Sequence, residues 1–384
     1  MPRTYSPASE MAGVGSILEY VRGARPPEAP PCGCAGGGAK RRGAGRADNV
    51  APTAEVGGAA LRALAGLTTT PSECAEDVDH APGTPCSSQR VAKAIAAFAS
   101  EGRPRPGGSE TEPAKSLLPT ATSSDARAVR EAAAALGCPA ESCIVAHPAF
   151  HQYVVERGLM PEAALALELE TRYKAPGPRG SKSLLSNYNI DETLRRWARV
   201  FPEFHPCPFA MMDFERNGDR FGEIDLGEVL AGRAPADLGP GFGVVRRPAT
   251  CFGCVLNTDT STGPGKHWVA VFVDCRGRGG EPWTVEYFNS AGNPPPRAVT
   301  RWSEKTRARL VEYRRQLPPA QQGEVLTVPV TDVDHQESQT ECGLYALFYI
   351  RRRLEGTPYA FFLDRPIPDE AMTAFRAHVF RVGP

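Results

Sequence analysis

The sequence lacks an excess of either charge. Its 44 Lys and Arg stand against 44 Asp and Glu, so whole-molecule charge directs it neither to nucleic acid nor to an acidic membrane surface. Long apolar runs are missing too. The longest, Gly343 to Ile350, is far shorter than the roughly 20 residues that cross a bilayer, and no basic stretch leads into an apolar one at the start of the chain. No membrane partner is expected. The eleven cysteines form no compact secreted framework, which points to largely reduced thiols. Large apolar side chains are scarce in the first 85 residues, where Pro26 to Pro31 leads into Cys32-Gly33-Cys34 and then Gly36 to Gly38. Ala and Val cannot offset the entropy of ordering such a backbone, so residues 1–85 are expected to be a disordered Gly/Ala/Pro-rich tail. Cys32, Cys34, Cys74 and Cys86 match no usual ligand spacing, so neither a metal nor any other cofactor is expected.

What is present begins beyond that tail. A short helical pattern (Val91, Ile95, Phe98) and a second helix from Asp125 to Leu136, closed by Gly137, flank a Pro/Gly/Ser/Thr-rich linker at 102–124. With Cys138 to Tyr153 and Pro161 to Tyr173 they make a helical module over 86–175. Ala175 to Gly180 breaks the chain again. Asn189 with Glu192 fits a capping box opening a helix with apolar face Ile190, Leu194, Trp197 and Phe201. Phe209 to Phe214 reads as a strand or buried segment, and Gly218 to Gly243 as loop-rich. Thr250 to Asn257, His267 to Cys275, Trp283 to Phe288 and Val325 to Val330 read as strands. A helix over Ser303 to Gln316 and one beginning at Cys342 complete an α+β unit over 181–384. Arg301, Lys305, Arg307, Arg309, Arg314 and Arg315 mark a solvated helix face by default, with weak nucleic-acid contact as the alternative. Cys251 and Cys254 read as core residues.

Chemistry concentrates around Cys342. It opens an apolar helix (Leu344, Leu347, Phe348) whose last turn carries Arg351 to Arg353, with Gly356 and Pro358 beyond. A thiol at a helix N-terminus lies in the positive end of the macrodipole, which favours the thiolate. Such a nucleophile needs a base and a group that orients the base. His267 sits at a strand mouth, whereas His335, nearer in sequence, lies in a polar loop with nothing evident to hold it. Asn289 falls where the next strand yields to a turn, while Asp274 and Glu286 fall on opposite strand faces. A glutamine amide with the Cys342 backbone N–H would face a developing oxyanion.

His267-Trp268, Tyr287-Phe288-Asn289-Ser290 and Gln336, six residues before Cys342, together resemble the adenain/Ulp cysteine-protease clan. Leu185 to Ile190 resembles the opening helix of its SUMO-protease branch. Asn in place of Asp, Asn257-Thr258-Asp259 and Thr340-Glu341-Cys342-Gly343 are most similar to the polyprotein-processing proteases of large cytoplasmic DNA viruses, the African swine fever virus type. The resemblance covers about residues 130–384. It implies a papain-like core with a central mixed sheet flanked by helices. It also implies a Cys342–His267–Asn289 triad with Gln336 as oxyanion donor, Gln339 being the second candidate. Trp268, Asn187 and Ser290 would contact substrate, Trp268 walling a narrow cleft. Cleavage of virion precursors after Gly-Gly or Ala-Gly, in the virion and host cytoplasm, is the implied function. Removal of SUMO or ubiquitin uses the same chemistry; an acetyltransferase fits Asn289 poorly, and a non-catalytic assembly scaffold would not need the whole residue set.

Overall fold

A computed structural model of the chain describes residues 72–101, 117–178, 180, 182–216, 218–277 and 281–381. It divides into two compact units, residues 72–176 with 379–381 and residues 177–378 among those described. The expectations for residues 1–71 and 102–116 lie outside the described residues.

The first unit is helical: α1 Gln89–Glu101, α2 Ser124–Leu136, α3 Glu141–Ala146, α4 Pro148–Glu156 and α5 Glu162–Arg172, followed by β1 Ala175–Pro176. Its core gathers Val91, Ile95, Phe98, Val129, Phe150 and Leu165. Helix α2 starts on a Ser123 side-chain cap and ends where Gly137 takes φ 68°, a conformation glycine adopts without steric cost.

The boundary at residue 85 is corrected, since Glu73, Cys74 and Ala75 are already buried in the first unit. Glu73 is buried and accepts from the Ser142 backbone N–H at 3.0 Å and from its hydroxyl at 2.8 Å, satisfying the open end of α3. Burial raises the Glu73 pKa. Glu141 in turn accepts from the backbone N–H groups of Cys86 and Ser87. The end of the expected linker is tied down as well: Arg130 donates to the carbonyls of Pro119 and Ala121. The expectation of largely reduced thiols is corrected for the first unit only, the five described cysteines of the second being free. Cys74 pairs with Cys86 and Cys138 with Cys143, the chain bringing their Cα atoms to 5.1 and 5.6 Å. Cys74 and Cys86 are thereby removed from any zinc reading, while Cys32 and Cys34 lie outside the described residues.

The second unit is built on a six-stranded mixed sheet. Its path is β2 Phe204–Pro206, β6 Cys251–Asn257, β7 Trp268–Asp274, β8 Trp283–Phe288 and β9 Val325–Val330, with β3 Ala210–Met211 also on β6. Strands β6, β7 and β8 run antiparallel; β2 and β3 join β6 in parallel, and β9 joins β8 in parallel. Side chains alternate across the sheet. Val269, Val271, Val273, Val285 and Tyr287 face one core, filled by Trp302 and Leu310 of helix α7 Arg297–Arg315. Helix α8 Cys342–Leu354 packs on β7 and β6, and every residue from Cys342 to Arg351 is buried. Six large apolar side chains in that span, each about 1.5–3 kcal/mol when fully buried, explain why this helix is the centre of the unit.

Helix α6 Asn187–Val200 is capped by Ser186, not Asn189. Ser186 Oγ accepts from the Asn189 N–H and Asn189 Oδ1 accepts from the Ser186 N–H. Glu192, the partner expected of Asn189, instead binds Arg195 and Arg196. The loop-rich stretch holds helical turns at Arg220–Glu223 and Leu226–Leu230 and a hairpin of β4 Pro235–Asp237 with β5 Val244–Arg246. Cys251 and Cys254 are buried free thiols that burial pushes well above the ordinary range. On α7, Arg301, Arg307 and Arg315 pair with Glu215, Glu304 and Glu312, so much of that face is locally neutralised. Among the described residues no helix is long and apolar enough to cross a membrane. The chain's last described strand, β10 Phe380–Arg381, pairs in parallel with β1 and so belongs to the first unit, where the sequence had extended the second to residue 384.

Candidate active site

His267 immediately precedes β7, at the end of a loop that leaves little room for movement. Asn257, closing β6, accepts from the backbone N–H groups of Asp259 and Lys266, each at 3.0 Å. Thr258 N–H donates to the His267 carbonyl at 2.8 Å. The Asp259 carboxylate accepts from Thr260 and Gly265 N–H groups and pairs with Lys266, which holds its pKa below the usual range. The loop is wound so tightly around this carboxylate that a Cβ at Gly263 would run into it.

His267 Nε2 lies 2.8 Å from Asn289 Oδ1. The orientation of that amide is set by its other contacts: Oδ1 also accepts from the Ala291 N–H at 3.0 Å, and Nδ2 donates to the Tyr287 hydroxyl at 3.2 Å. Since Oδ1 can only accept, the proton lies on His267 Nε2, and Nδ1 presents the lone pair. Asn289 is 3% exposed. The carboxylates set aside on strand geometry are occupied elsewhere, Asp274 with Arg276 and Arg353, Glu286 with Arg353 and Tyr349.

Cys342 is the first residue of α8 and is fully buried. Glu341 stands at the N-cap without capping; its carboxylate binds Arg376 at 2.8 Å, on helix α9 Asp369–Val379. The positive end of the helix is therefore not neutralised by its own cap. Gly343 faces Leu185, whose side-chain atoms would lie 3.1–3.3 Å from an added Cβ, so the segment before α6 lies against the first turn of α8.

Trp268 is held by its indole N–H on the Leu185 carbonyl at 3.2 Å and packs edge-on against Phe209. At 4% exposure it braces the strand and offers little wall to a cleft. Asn187 opens α6, and its Oδ1 is buried with no hydrogen-bond partner among the described residues. Gln336 accepts from the Ser290 hydroxyl at 2.8 Å and donates to the Ser338 carbonyl at 2.7 Å, whereas Gln339 is exposed.

His335 is not the loose side chain that its polar neighbours suggest. It is 2% exposed, its backbone N–H donates to the Ser290 carbonyl, and its Nδ1 accepts from the Ile367 N–H at 3.1 Å. Burial lowers its pKa to about 4. Its ring packs tilted against Phe288 and Tyr345 and edge-on to Phe362, as a neutral core group. Sequence reasoning also missed the supports of the 334–341 segment: Asp369 accepts from the Ser338 N–H at 2.7 Å and from the Tyr345 hydroxyl. Those partners are some 30 positions away, beyond the reach of any local pattern.

Residues 255–381 match the Ulp1 protease family, C-terminal catalytic domain. The chain is similar to a cysteine protease of African swine fever virus, with 44% identity over 321 residues that span 83% of this chain and 99% of the relative. It is also similar to the putative thiol protease R355 of Acanthamoeba polyphaga mimivirus, at 22% identity over 55% of this chain and 61% of that one. Among solved structures, the crystal structure of the African swine fever virus pS273R protease superimposes with a TM-score of 0.65 at 42% identity, covering 83% of this chain and 99% of the other.

Proposed function

The chain belongs to the Ulp1-type cysteine protease family that includes the African swine fever virus enzyme, and on that premise we propose that it cleaves viral precursor proteins after small residues through Cys342, His267 and Asn289. The observation that carries the assignment is the 2.8 Å bond from His267 Nε2 to Asn289 Oδ1, which turns Nδ1 into the free, basic nitrogen. In this reading Nδ1 takes the Cys342 proton and the thiolate attacks the scissile carbonyl. The developing oxyanion accepts hydrogen bonds from the Cys342 backbone N–H and the Gln336 amide. Imidazolium then protonates the leaving amine, and water, deprotonated by Nδ1, releases the acid and regenerates the thiol. Asn187 fits a substrate-contacting role, its buried Oδ1 being suited to a backbone N–H of an extended peptide. Virion and host cytoplasm are where such precursors would be met.

The test is incubation with a Gly-Gly-containing precursor of the virus beside SUMO and ubiquitin adducts, the products being mapped by mass. Cuts after Gly in the precursor are expected, with none from Cys342→Ala. Release of SUMO or ubiquitin with the precursor left intact would overturn the substrate, and turnover by Cys342→Ala would overturn the site.

A further inference from the structure

Ser290 has no part in the chemistry just described, yet it is 1% exposed and bonded three times to the segment that carries Gln336. Its carbonyl accepts from the His335 N–H at 2.7 Å and from the Gln336 N–H at 3.1 Å. Its hydroxyl donates to Gln336 Oε1 at 2.8 Å. Next to it, Ala291 and Asp334 form an antiparallel bridge. Backbone and side chain of Gln336 are therefore registered on the turn that follows β8 and not on α8, although Gln336 is only six residues from Cys342.

The amide orientation follows from its two partners. The Ser338 carbonyl, 2.7 Å from Nε2, can only accept, so the NH2 group must face it. Oε1 then faces Ser290, which supplies the proton. One N–H of the amide is spent on Ser338, and the second remains for a ligand. Without the Ser290 hydroxyl, the half-buried Oε1 loses its donor, and the amide is free to rotate its remaining N–H out of line.

We propose that Ser290 is a positioning residue for the oxyanion hole, fixing the rotamer in which Gln336 presents its second N–H, and that it does not contact substrate. Because Asn289 orients His267 and its neighbour Ser290 orients Gln336, a single dipeptide aligns the base and the oxyanion donor. The inference rests on the reading of Gln336 as that donor.

A double-mutant cycle on the full-length protein separates the two. Gln336→Ala should lower kcat roughly a hundred- to thousandfold. Ser290→Ala should lower it roughly ten- to a hundredfold, with KM and the His267 limb of the pH profile unchanged. In the Gln336→Ala background, Ser290→Ala should cost nothing further. If Gln336→Ala leaves kcat intact, the donor reading fails and the inference falls with it. If Gln336→Ala is impaired but Ser290→Ala costs the same in both backgrounds, or raises KM instead, the donor stands and the positioning role is overturned. Thermal melts of each variant exclude a loss of fold, which would depress activity without the cycle's non-additivity.

Discussion

At the residue scale the distinctive position is Asn289. Its Oδ1 accepts from His267 and Ala291, and its Nδ2 donates to a Tyr287 hydroxyl whose pKa burial pushes up to about 12. A neutral acceptor fixes the ring without stabilising imidazolium by charge. Asn289→Ala should therefore keep a measurable remnant of kcat, unlike Cys342→Ala or His267→Ala, since it loses orientation but neither nucleophile nor base. Asn289→Asp should remain active, because both acceptor roles survive and Tyr287 can donate to the second carboxylate oxygen. The added negative charge should raise the His267 pKa, moving the corresponding limb of the kcat/KM profile to higher pH. An unmoved limb, or full activity in Asn289→Ala, would leave Asn289 only a turn-forming role.

At the element scale, the strands and the Cys342 helix were legible because each buries a run of Val, Phe, Leu and Tyr between recognisable turn residues. The helix cap at Ser186 was not, since two overlapping boxes were written into the same stretch and the choice depended on where Glu192 found its arginines. His267, Asn289 and Cys342 were visible as residue types at element ends. The anchoring of His335 and Gln336 was hidden, because Ser290, Ile367 and Asp369 are brought in by the fold. Packing between elements yields its own expectation. Gly343→Ala adds helix propensity but presses on Leu185, whose carbonyl holds Trp268 directly after His267. Such a shift should cost roughly ten- to hundredfold in kcat/KM while the unfolding midpoint barely moves. Adding Leu185→Ala removes two of the three close atoms and should restore part of the rate. A Gly343→Ala enzyme with normal kinetics would show that the contact does not set the site.

At the scale of the whole molecule, three buried groups contribute to the response of the second unit to acid between pH 6.5 and 4. His205 and His335 have pKa values lowered to about 4 by burial, so their unfolded forms gain protons first as pH falls below about 6.5. Each withdraws stability between those values, on the order of 3 kcal/mol in full. Asp191 has the opposite sign. Burial raises it to about 6, so the stability it lends is present below about 4 and lost as pH rises through 6. Two histidines outweigh one aspartate, and the unit should lose stability from pH 6.5 to 4. Asp191→Asn, which keeps an acceptor for the Phe209 N–H, should steepen that acid limb, and His335→Asn should flatten it; denaturant titrations across this range would read both. The pairing of Ala175–Pro176 with Phe380–Arg381 bears on a different event, the birth of the chain. Residues 177–378 between those strands make up the second unit, so the first is split along the chain around it. At about 5–20 residues per second a ribosome needs roughly 10–40 s to make that stretch. For that time the helical unit waits without its closing strand, while residues 177–378 emerge as one continuous stretch, so the unit begun first is the one completed last.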